Sequence, residues 1–129
     1  MIAVLACTSK GPDVKKEVDQ IFDIHDAVMP KMGELMSLRK QVLEDVNREG
    51  LSEEEKAARR DLAKSLEDAQ KGMMLWMNDW SKNAKPHING ETQPDEQQAF
   101  FDSEMERVTK VKTDINGAIA NAKDLLGKK

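Results

Sequence analysis

From Asp13 to about Arg48 the apolar residues recur with a seven-residue period, and this pattern restricts the fold more than any other feature. Val14, Ile21, Val28, Leu35 and Val42 are spaced by seven, and Val18, His25, Met32, Arg39 and Val46 repeat the interval four residues later. These are the d and a positions of a heptad, a stripe that is buried only against other helices. Phe22, Met29, Met36 and Leu43 occupy the e positions and widen the seam into the broad apolar face of a helix in a globular bundle. Asp19, Asp23, Asp26, Ser37, Lys40 and Glu44 line the opposite face.

Pro30 interrupts this run, and a proline in a helix interior removes one hydrogen bond and clashes with the carbonyl four residues back, here that of Asp26. Its heptad position is f, where freed carbonyls reach water, so the pattern predicts a helix kinked at Pro30; the alternative is two shorter helices meeting at "MPKMG". In "NREGLSEEE", Gly50 reads as a C-terminal cap and Ser52 with Glu55 as a capping box. The connection is short, so the second helix folds back on the first. Its seam is Leu62, Leu66, Ala69, Met73, Trp76 and Trp80, with Ala63 and Met77 on the flank, and Gly72 offers close helix approach.

"KNAKPHINGETQP" then reads as the longest loop, on its turn formers Pro86, Asn89-Gly90 and Pro94. The third seam runs Phe101, Met105, Val108, Lys112, Ile115, Ile119, Ala122 and Leu126, with Val111, Ala118 and Leu125 alongside. Lys112 is expected near Glu34, and Arg39 near Arg59 and Asp61. The run "SEEEKAARRD" reads as a solvated helix start. The sum is an all-α fold, an elongated antiparallel up-down-up three-helix bundle with coiled-coil-like packing, its helices at about 13–48, 52–84 and 95–126. At 129 residues the chain builds one core, burying roughly two-thirds of its unfolded surface.

Ahead of the bundle stands "MIAVLAC", closed by the only cysteine. "VLAC" resembles a lipobox, the end of a bacterial lipoprotein signal peptide, with Val4, Leu5 and Ala6 before Cys7 as the residue that is lipidated. A complete signal adds a basic stretch and a longer apolar run ahead of Ile2. On this reading residues 1–7 are a signal-peptide remnant, 8–12 a polar tether and 13–129 the bundle. The stretch "IHDAVMPKMGELMSLRKQV", through His25, Asp26, Val28, Met29, Pro30, Lys31, Met32, Gly33, Leu38 and Lys40, resembles a group of small helical Bacteroidetes lipoproteins often labelled "viral A-type inclusion protein". That resemblance implies a place in the bacterial cell envelope, anchored to a membrane through Cys7 on the periplasmic face of the outer membrane or at the cell surface. It implies no chemistry.

Several functions are disfavoured by the residues themselves. A net charge of -4 with no basic stripe argues against a nucleic-acid partner. One cysteine permits neither an internal disulfide nor a cysteine-based zinc site. There is no glycine-rich phosphate loop and no nucleophile set beside a histidine. His87 falls in the expected loop, and no carboxylate falls on an apolar face. The expectation is a noncatalytic protein without a cofactor, working through a protein partner or self-association. One alternative uses His25 with Met29, Met32, Met73 and Met77, at one-turn spacings on two facing helices; soft thioether and imidazole ligands suit Cu(I). Against it, methionine in a seam is ordinarily gap-filling core, and a histidine at an a position ordinarily finds hydrogen bonds with an acid across the seam.

Overall fold

The computed structural model describes residues 11–128, which form α1 (Val14–Val28), α2 (Met32–Asp45), α3 (Glu53–Ile88) and α4 (Pro94–Leu125). The described residues contain no strand, and the helices pack together around one core. The lipidation expected at Cys7, the signal remnant at 1–7 and the tether up to Lys10 lie outside the described residues.

The first heptad run makes α1 and α2. Asp13 caps α1, its side chain accepting from the Lys16 N–H at 3.2 Å. Ile21, Val28, Leu35 and Val42 are all buried, as the d positions require. Between Val28 and Met32 the chain passes through one 3-10 turn, Met29–Lys31, that carries Pro30. Pro30 has no N–H for the Asp26 carbonyl, and both residues are exposed, so water can satisfy that oxygen. A 3-10 turn advances three residues per turn instead of 3.6 and so rotates the apolar face. Beyond it Leu38 joins Leu35 and Val42 in the core, whereas Met36 and Leu43, expected to widen the seam, are exposed. Helix α2 stops at Asp45 because Asn47 and Arg48 turn back to the carbonyls of Glu44 and Asp45, both at 3.1 Å. Gly50, with φ of +85°, therefore serves the following turn and is not the helix cap.

The capping box at the start of α3 is present: the Glu55 N–H donates to Ser52 Oγ at 3.1 Å, and the Ser52 N–H donates to the Glu55 carboxylate at 3.2 Å. Leu66, Ala69, Met73 and Trp76 are buried as the seam predicts, and Leu62, Met77 and Trp80 are half-buried. The residues read as a loop from Lys82 remain helical through Ile88. Pro86 is tolerated there because its missing N–H deprives only the carbonyl of exposed Lys82, and its own carbonyl takes part in the helix end. The Glu91 N–H donates to Pro86 O at 2.9 Å and the Gly90 N–H to His87 O at 3.4 Å, a Schellman motif made possible by the φ of +71° at Gly90.

Helix α4 departs from the sequence expectation at particular positions. Phe101, Val108, Ile115, Ile119 and Ala122 of the expected seam are buried, with Val111 and Ala118 alongside, but Gln97 and Glu104 are buried too, while Lys112 faces solvent and Met105 is only half-buried. Cross-element pairs fix the levels. Arg59 Nε meets Asp45 at 2.6 Å and Arg39 meets Glu67 at 3.5 Å, while Gln98 meets Glu17 at 3.3 Å, Lys31 meets Asn116 at 2.8 Å and Lys123 meets Glu34 at 2.5 Å. Hence the partner of Glu34 is Lys123, not Lys112, and Arg39 reaches Glu67 instead of the neighbourhood of Arg59 and Asp61. Arg59 departs from the solvated run: it is buried, held by Asp45 and by the Glu55 carbonyl at 3.0 Å. Gly72 is not needed for close approach, since a Cβ there would meet nothing within 4 Å. Among the described residues no helix is long and apolar enough to cross a membrane.

Candidate functional site

The polar centre of the molecule lies between α3 and α4. Trp76, 1% exposed, brings an indole N–H into the core, and a buried N–H requires an acceptor. Glu104, 5% exposed, supplies it at 2.7 Å and also accepts from Arg107 Nη1 at 3.1 Å. Arg107 Nη2 donates to Asp79 at 2.7 Å. The hydrogen bond it donates to Asp79, with Glu104 beside it, holds the Arg107 guanidinium above its ordinary range. A buried carboxylate is tolerated only when it is paired and hydrogen-bonded, and Glu104 meets both conditions. The sequence expectation that no carboxylate enters an apolar face is corrected by this residue.

A chain of rings extends from that centre in both directions. The Trp76 ring lies 5.8 Å from His25 and 5.7 Å from Trp80, and Phe22 touches all three at 5.3 to 5.8 Å between centroids. Trp80 continues to Phe100 at 5.7 Å, and Phe100 stacks on His87 at 4.1 Å with 10° between planes. His87, expected in a loop, sits in the last turn of α3. Its Nδ1 lies 3.0 Å from Thr92 Oγ1, and Gln97 donates to its carbonyl at 2.6 Å.

His25 closes the other end of the ring chain. Its Nδ1 lies 2.9 Å from Asp26 Oδ1, an exposed carboxylate on the same helix, so the partner expected across the seam is replaced by a neighbour. Its Nε2 is buried and has no hydrogen-bond partner. Of the four methionines read with it, Met73 is fully buried in the core and Met29, Met32 and Met77 pack half-buried against that core. Among the described residues no group of three or more His, Cys, Asp or Glu side chains is arranged to hold a metal ion.

An open groove of about 530 Å³ runs between α3 and α4, floored by Ala69, Gly72, Gly117 and Ala118. Its two hydroxyls are committed locally, Ser65 donating to the Asp61 carbonyl and Thr113 to the Thr109 carbonyl, both at 3.1 Å. Lys110 and Asp114 on its rim pair with each other at 2.6 Å. The groove therefore offers shape and no poised nucleophile. No protein-family model matches this chain, and no curated protein and no solved structure matches it either.

Proposed function

We propose that this chain is a noncatalytic helical bundle of the bacterial cell envelope, held to a membrane by a lipid on Cys7 and serving a structural or protein-interaction role. The observation that carries the reading is the position of "VLAC": it ends on the single cysteine, six residues before Asp13 caps the first helix. A lipid at Cys7 would tether the bundle close to the bilayer through a short polar segment. The resemblance of the Ile24–Val42 stretch to small helical lipoproteins points to the same address.

Within the bundle we read an up-down-up course with α1 and α2 acting as one helix kinked at Pro30. Support comes from the levels of the cross-element pairs. Partners of α2 on α3 run in opposite senses, Arg39 with Glu67 and Asp45 with Arg59, whereas partners on α4 rise together, from Glu17 with Gln98 to Glu34 with Lys123. A rod about 54 Å long follows from the 36 residues of α3. On α3 Met74 and Leu75 are exposed, the latter 59%, and on this reading they belong to the contact surface.

Detergent phase partition of the protein made from its native gene in its own cells tests the anchor. The wild type is expected in the detergent phase and Cys7→Ser in the aqueous phase. Equal aqueous partition of both overturns the lipid anchor. Sedimentation at high concentration tests self-association, which a monomer excludes.

A further inference from the structure

We infer that His25, with thioethers drawn from Met29, Met32, Met73 and Met77, forms a binding site for a soft monovalent cation, Cu(I). The inference stands apart from the anchoring role and rests on the state of one imidazole. Asp26 Oδ1 lies 2.9 Å from Nδ1, and a neutral ring whose Nδ1–H donates to that carboxylate carries its lone pair on Nε2. That atom is buried and has no partner among the described groups. Buried side-chain nitrogens are nearly always satisfied, so an imidazole with a carboxylate on its outer nitrogen and an unused lone pair on its inner one has the arrangement of a metal-ligating histidine with its orienting acid.

The surroundings select the kind of ion. His25 and Met29 stand one helical turn apart, and Met32, beyond the 3-10 turn, packs half-buried against the same core. From α3, Met73 and Met77 flank Trp76, whose ring lies 5.8 Å from the His25 ring. The walls are otherwise aromatic, with Phe22 at 5.3 Å. Carboxylates on these elements face outward or are engaged, Asp26 with His25 and Glu104 with Trp76 and Arg107. A site of one neutral nitrogen and polarizable sulfurs in an apolar shell favours Cu(I) over hard divalent ions. Unbranched thioethers also re-pack readily around an added atom.

The test uses the full chain carrying Cys7→Ser, so that a thiol cannot compete, titrated without oxygen with Cu(I) against a coloured Cu(I) chelator. Methionine methyl resonances of the same protein, which leaves the core unaltered, are followed in parallel. We expect one equivalent of copper withdrawn from the chelator, with methyl shifts for at least two of Met29, Met32, Met73 and Met77 and none for exposed Met36 and Met74. His25→Gln and the surface change Asp26→Asn each lower affinity about tenfold or more. Failure to withdraw copper, shifts confined to Met36 and Met74, or unchanged affinity in both variants overturns the site.

Discussion

Replacing Glu104 with leucine tests the polar centre directly. The substitution keeps an apolar side chain of similar size on the buried line of α4 but removes the acceptor 2.7 Å from Trp76 Nε1 and one acceptor of Arg107. A buried N–H without a partner costs about 1–3 kcal/mol, and the charge-assisted bonds to the carboxylate contribute about 1.5–3 kcal/mol. Leucine recovers part of this through its own burial, so the net loss expected is about 2–4 kcal/mol. With a urea slope of about 1–3 kcal/mol per molar for a domain of this size, the midpoint falls by roughly 1–2 M. Circular dichroism is the proper signal, because the companion variant Trp76→Phe removes a fluorophore. Glu104→Gln retains an acceptor for the indole and loses only charge toward Arg107, so its effect is smaller, about 1 kcal/mol. In the double variant the indole N–H and its acceptor leave together, and the cycle should show coupling of about 1–2 kcal/mol. A Glu104→Leu change within about 0.5 kcal/mol, the ordinary value for a surface site, or strictly additive losses would mean that Glu104 does not stabilise the fold through the indole.

Other consequences follow from the helix geometry. Gly72→Ala and Gly117→Ala each place a Cβ in open space on a helix and should stabilise by about 0.5–1 kcal/mol in the same urea assay. Ser52→Ala removes the acceptor of the Glu55 N–H and should cost about 1 kcal/mol, read as a lower thermal midpoint. Acid should weaken the fold. The Ser52 cap holds Glu55, the Lys71 and Arg39 cations hold Glu67, and Lys64 holds Asp68 below the ordinary carboxylate range. A carboxyl with a lowered folded-state pKa contributes stability that is complete above its unfolded value and is lost as pH falls through the folded one. The urea midpoint should therefore be flat near neutrality and decline below about pH 4.5, more gently in high salt, because these three groups are exposed to solvent.

The helical class and the α3 line were legible because apolar period alone decides them. Leu66, Ala69, Met73 and Trp76 alternate 3 and 4 with no competing phase, and all are buried. Helix α4 offered two phases through Phe101 and Val108. One includes Met105 and Lys112, the other Glu104 and Val111, and at these positions the second pair is buried. The indole N–H of Trp76 needs an acceptor, and Glu104, 28 residues away, supplies it. The signal was nevertheless present: a tryptophan on a seam calls for a nearby acceptor, and Glu104 stands three residues before Arg107, within reach for an ion pair. The exposure of Met36 and Leu43 was hidden for a different reason, because a heptad count passes through Pro30 without registering the rotation that a 3-10 turn introduces. Of the soft-ligand set, residue type and one-turn spacing were readable in advance. The orphaned Nε2 of His25 was not, since it depends on the ring being claimed by Asp26 from the outside.

The mass of the N-terminal peptide from the protein purified out of its own cells tests the lipid proposed at Cys7. A mature chain that begins at Cys7 is expected, its sulfur bearing a diacylglyceryl group and its mass raised accordingly. A peptide that retains residues ahead of Cys7, or one in which Cys7 carries an unmodified thiol, would overturn the anchor.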